Sequence, residues 1–142
     1  MSSFPTKILL ATDGSREAEL AATAAVELAN STNSELHLVH VGEFVPTLLA
    51  QTEVEPARLE REAQQVLDEQ VRRVEEAGGD VREAHLRLGR ADEEIVELAQ
   101  DMGAGFIVMG SRGRGRIRRA LMGSVSESVV RHAHCPVTIV RE

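Results

Sequence analysis

The residues with the clearest chemical potential lie between Gly110 and Ser128, in the stretch GSRGRGRIRRALMGSVSES. Gly110, Gly113, Gly115 and Gly123 are interleaved with Arg112, Arg114, Arg116, Arg118 and Arg119. Glycine lets a backbone approach a ligand with no Cβ in the way. The apolar run Phe106-Ile107-Val108-Met109 ahead of the stretch reads as a buried strand. Val125, Val129 and Ala133 behind it recur at helical spacing. A strand, a glycine-rich loop and a helix N-terminus in succession form a phosphate cradle, because backbone N–H groups converge there and the helix dipole favours an anion. A plainer reading stays open beside this one. Ser124 and Glu127 make a capping box, which a helix that binds nothing would also carry, and Gly110 and Gly113 could close a simple turn. Two other phosphate motifs fail. No Gly-Lys pair is present for a Walker A loop, and Arg118 stands where a dinucleotide fingerprint needs its third glycine.

These residues need a frame, and the rest of the chain supplies one. Lys7 to Thr12 is apolar without alternation, the pattern of a parallel strand covered on both faces. Asp13-Gly14-Ser15 reads as a turn, with Ser15 as the N-cap of an alanine-rich helix running to about Asn30. Glu35 to Val41 is a second strand. The connection from Gly42 to Glu55 is longer than usual and carries Phe44, Val45, Leu48 and Leu49, which fits a lid, a subunit contact or a short packed turn. Pro56 opens a helix that stops at Gly78-Gly79. Val81 to Leu88 is a weaker, alternating strand suited to a sheet edge. Ala91 to Met102 is a helix with acids in its first turn, and a helix ending near His132 precedes a last strand over Pro136–Val140. Strands alternating with helices predict an α/β fold with a doubly wound parallel sheet.

Composition bounds the function classes. The 142 residues suit one domain, and no apolar run approaches the length of a membrane span. The N-terminus lacks the features of a signal peptide, and the single cysteine excludes an internal disulfide, which suits a reducing cytoplasm. A net charge of −7 and an aromatic content of 2% argue against nucleic acid as a partner. Against that background the arginine run is a local reversal of sign that fits an anion, although Arg118 and Arg119 are better read as a solvated face. His37 and His40, three apart on a strand, point to opposite faces, which argues against a joint role. His132-x-His134 lacks supporting ligands and reads as a cationic helix C-terminus. Cys135 reads as a small core residue.

The spacing Gly110-x2-Gly113-x9-Gly123-Ser124 resembles the G-x2-G-x9-G-(S/T) signature of ATP-binding universal stress proteins. The resemblance runs the length of the chain. Ile8 to Ser15 is similar to that family's first strand and turn, Leu36 to Val41 to its second strand, Ile107 to Gly110 to its fourth, and His134 to Val137 to the entry of its fifth. It implies one Rossmann-like domain over residues 1–142, of the adenine nucleotide alpha hydrolase-like kind. Five parallel strands would run in the order 3-2-1-4-5 with helices on both faces. Strands 1 and 4 then meet at the switch point where such sheets bind ligands.

The resemblance further implies ATP, or AMP or a cyclic adenine nucleotide, with Mg²⁺ or Mn²⁺ carried on the phosphates. Ala11, Thr12 and Asp13 would line the adenosine end, with backbone contacts from Val41 to the adenine. The alternative reading of Asp13 is a turn-former bonded to its own backbone. Met109, Gly110 and Gly113 would approach the ribose and α-phosphate. Gly123, Ser124 and Val125 would offer N–H groups to the β- and γ-phosphates, with a hydroxyl from Ser126. Arg112 and Arg114 would reach in from the loop, at positions the family motif leaves free. A homodimer through Val137–Val140 and a cytoplasmic location follow from the same resemblance, which names no downstream protein partner. Beyond Asp13 and the arginines no catalytic set is evident for phosphoryl transfer. The expectation is therefore a nucleotide-holding regulator in stress response, with a slow ATPase acting as a timed switch, or a nucleotide-independent interaction module, as the alternatives.

Overall fold

A computed structural model of the chain describes residues 4–43, 55–111 and 123–142. In chain order the elements are β1 Lys7–Ala11, α1 Arg16–Thr32, β2 Glu35–Glu43, α2 Pro56–Glu76, β3 Val81–Gly89, α3 Ala91–Met102, β4 Phe106–Gly110, α4 Ser124–His132 and β5 Val137–Val140. The strands form one sheet in the order β3-β2-β1-β4-β5, every neighbour parallel. The doubly wound fold expected from the sequence is present, in the order expected.

The absence of alternation in β1 has its cause in this arrangement. Ile8 and Leu10 face a core built with Ala21, Ala25 and Ala29 of α1 and Leu67 and Val74 of α2. Leu9 and Ala11 face a second core with Ile95, Leu98 and Ala99 of α3 and Val129 of α4. Both faces of the central strand are covered, so Ile8 to Ala11 are all apolar. Handedness explains which helix goes where. Right-handed crossovers put α1 and α2 on one face while the chain steps outward to β3. When it returns to β4 and steps the other way, the same hand puts α3 and α4 on the opposite face. That reversal creates the crevice between β1 and β4.

Local chemistry sets the element ends. Ser15 caps α1 by accepting the Ala18 N–H at 3.2 Å. The helix runs past Asn30 to Thr32, because its stop is Asn33, which takes the left-handed conformation at φ 58°. α4 differs from expectation at its start. Gly123 is the N-cap and Ser124 the first helical residue, with no side chain capping the turn. The capping-box reading of Ser124 and Glu127 is thereby overturned. The reason is that Gly123, extended at φ −77° and ψ 167°, donates its N–H to the Ser111 carbonyl and accepts the first helical bond from Glu127 at 3.0 Å. β3 lies at one edge of the sheet, as its sequence indicates, and β5 at the other. No helix among the described residues is long and apolar enough to cross a membrane.

Candidate functional site

The turn after β1 and the entry to α4 meet at the carboxyl end of the sheet. Asp13 accepts the Ser15 N–H at 2.9 Å, which folds the turn back on itself and presents α1. The turn-forming role read from the sequence is thus present, and Asp13 also lines the cleft described below. Thr12 donates its hydroxyl to Gln70 of α2 at 2.8 Å, and the Thr12 carbonyl accepts from His40 Nδ1 at 2.8 Å. All three side chains are buried. Together they lock the end of β1 to β2 and α2.

Across the crevice, Gly110 ends β4 against the first turn of α1. Ser111 follows, fully buried, and its hydroxyl donates to the buried carboxylate of Glu17. The Ser111 carbonyl accepts both the Gly123 N–H and the Ser126 hydroxyl, which also contacts the Gly123 carbonyl at 3.1 Å. Ser126 therefore ties the start of α4 to the end of β4. These bonds leave the N–H groups of Ser124, Val125 and Ser126 without partners among the described residues, at the positive end of the helix dipole.

Between the two sides lies a cleft of about 320 Å³, at the lower bound for small-molecule sites. Ala11, Thr12, Asp13, Val41, Met109, Gly110, Gly123, Val125 and Ser126 all line it, so the structure brings together most of the residues that the sequence singled out. Ser124 is exposed and is not part of the lining. Arg112, Gly113 and Arg114 lie outside the described residues, as does the apolar segment 44–54. The lining also includes groups that sequence reasoning missed. Val66 of α2 and Ile95 of α3 add apolar wall, and His40 and Ser111 add polar surface. Apolar side chains together with the donor groups of α4 suit a ligand with a ring and an anionic tail.

Other candidates separate from this site. Cys135 packs half-buried against the α3–α4 core, and burial pushes its thiol pKa up, so it is held as the protonated thiol. His132 sits in the last turn of α4, at the helix C-terminus as expected, with Nδ1 donating to the Ser128 carbonyl at 2.9 Å.

The sequence model of the universal stress protein family matches residues 5–141. A universal stress protein of Thermus aquaticus is 40% identical over 137 residues, covering 94% of this chain and 97% of the relative. The solved structure of UspA from Lactobacillus plantarum superposes with a TM-score of 0.80 at 25% identity, covering 96% of this chain and 98% of that one. Two further structures share the fold. One is a universal stress protein in complex with cAMP, at TM-score 0.74 and 24% identity over 95% of this chain and 96% of that one. The other is the Archaeoglobus fulgidus protein in complex with dAMP, at 0.69 and 23% over 98% and 99%. Sheet order, the glycine spacing and these matches agree: the chain belongs to the universal stress protein family.

Proposed function

We propose that this protein binds ATP in the β1–β4 cleft and acts as a nucleotide-dependent regulator in stress response. The observation that carries the reading is an apolar slot that opens on the start of α4, where Val125 and Ser126 line the cleft and the N–H groups of Ser124, Val125 and Ser126 have no partners among the described residues. Adenine nucleotides held by two relatives of the same fold support the ligand class. The base stacks along Val41 and Val66, and the phosphates take the N–H groups of Ser124, Val125 and Ser126. Gly123 keeps that approach clear. A divalent ion fits as well. Asp13 has its Oδ1 engaged with Ser15, and its other oxygen, with no partner among the described residues, is the hard donor that Mg²⁺ or Mn²⁺ accepts. Such an ion would neutralise phosphate charge.

The test is mass spectrometry of nucleotide released from the denatured protein, before and after incubation with ATP and Mg²⁺. Intact ATP near one per chain is the expected result. Progressive ADP would replace the holding role with slow hydrolysis, and no nucleotide would empty the site.

The same reading includes a homodimer through β5. Val137 to Val140 form an apolar edge that remains only half-buried in the monomer, the kind of edge that strand pairing covers. Sedimentation at micromolar concentration is expected to give the dimer mass, and a monomer there removes this element of the proposal.

A further inference from the structure

A second constellation of ligand-type side chains lies away from the cleft, on β2 and the edge strand β3. His37, Glu83 and His85 each offer one ligand atom, and these atoms lie within 4.8 Å of one another. Their meeting depends on a backbone irregularity. Leu36 pairs with Val81, but His37 pairs with Glu83, so Arg82 is an extra residue in β3. Without that bulge, Glu83 and His85 would fall on the opposite face of the sheet, because side chains alternate. With it, both stand on the face of His37. Bulges near sheet edges commonly re-aim a side chain in this way.

The spacing of the two rings also suits a chelate. His37 Nδ1 and His85 Nε2 are 3.4 Å apart, long for an N–H···N bond. Two imidazole nitrogens on one tetrahedral Zn²⁺, each at 2.0–2.1 Å, stand about 3.3 Å apart. On its other side, His37 Nε2 lies 3.3 Å from the Glu35 carboxylate. A proton held there on Nε2 leaves Nδ1 unprotonated and free to ligate. A carboxylate behind a ligating histidine is the usual outer support of a metal ligand. His37 is buried, His85 partly so, and Glu83 is exposed, which gives a fixed anchor and a movable third ligand on the open side.

We propose that His37, His85 and Glu83 form a binding site for one borderline divalent cation of the Zn²⁺ class, with water completing the coordination. Two imidazoles and one carboxylate select such a cation over Mg²⁺ or Ca²⁺, which prefer oxygen alone. The bound ion cross-links the edge strand β3 to β2. It stands apart from the nucleotide cleft, since none of His37, Glu83 and His85 lines that cleft.

The experiment is calorimetric titration of the whole nucleotide-free protein with Zn²⁺, paired with Co²⁺ titration read by the visible absorption of four-coordinate Co²⁺, and with thermal melting. The expected result is one ion per chain, a melting temperature raised by Zn²⁺ and not by Mg²⁺, and affinity weakened at least tenfold in His85→Gln and in Glu83→Gln. A His132→Gln/His134→Gln protein should bind as the native one does. Glu83 is exposed, so its variant decides the matter if His85→Gln fails to fold. Absence of stoichiometric binding, or native affinity in folded Glu83→Gln and His85→Gln, overturns the proposal.

Discussion

A Gly123→Val protein is expected to fold normally and to lose nucleotide affinity by ~100-fold or more, equivalent to about 2.7 kcal/mol. The backbone at Gly123 is extended, φ −77° and ψ 167°, a region any residue adopts and a β-branched one favours. Conformation therefore does not require glycine here. What the position does carry is the close passage of a ligand, since Gly123 lines the cleft and directly precedes the three unpartnered N–H groups. A branched side chain fills that space and holds phosphate away from the donors. Calorimetry with ATP and Mg²⁺, alongside circular dichroism and a melting curve, separates the two effects. A folded variant that binds ATP as tightly as the native chain would sink the site assignment.

Gly110, the first glycine of the signature, is expected to behave in the opposite way. A Cβ built at Gly110 would lie 2.9 Å from Glu17 Cβ, 3.0 Å from the Glu17 carbonyl carbon and 3.1 Å from the Ala18 nitrogen. Two of those atoms are backbone in the first turn of α1, which cannot rotate away. Gly110→Ala should therefore cost about 1–3 kcal/mol of stability by overpacking, lowering the melting temperature by roughly 5–10 °C. The defect should appear with no nucleotide present. Denaturant unfolding of the apo protein checks it, and native stability in Gly110→Ala would show that α1 yields more readily than its packing indicates.

The contrast between Gly110 and Gly123 marks how far the sequence can be read. Spacing alone located both, and continuous apolar character alone identified β1 as a strand covered on both faces. The reasons behind the glycines were not legible, because they depend on what stands opposite. Gly110 is a packing glycine, made necessary by an α1 that sits close on its alanine stripe. Glu17 is one of two acids in the first turn of α1, and nothing local signals that it is buried against Ser111. Ser124 has the residue type of a cap and the spacing to Glu127, yet the extended Gly123 takes that position, since its N–H is claimed by β4. His37 was correctly placed on the opposite face from His40. Its partners Glu83 and His85 became visible only with the bulge at Arg82, which shifts the strand register by one residue and has no signature in the local pattern.

The Ser111–Glu17 bond joins residues 94 apart in the chain, and the cleft beside it draws its two walls from segments just as distant. Contacts of that separation form late, because the loop they close must be ordered before they repay its entropy. Folding intermediates that hold only β1, β2 and β3 would contain half a site. A ligand of this cleft therefore recognises the finished sheet and nothing earlier. Its binding energy falls on the native state alone, deepening that state without guiding the chain toward it. Occupancy of the cleft is thus a readout of completed folding.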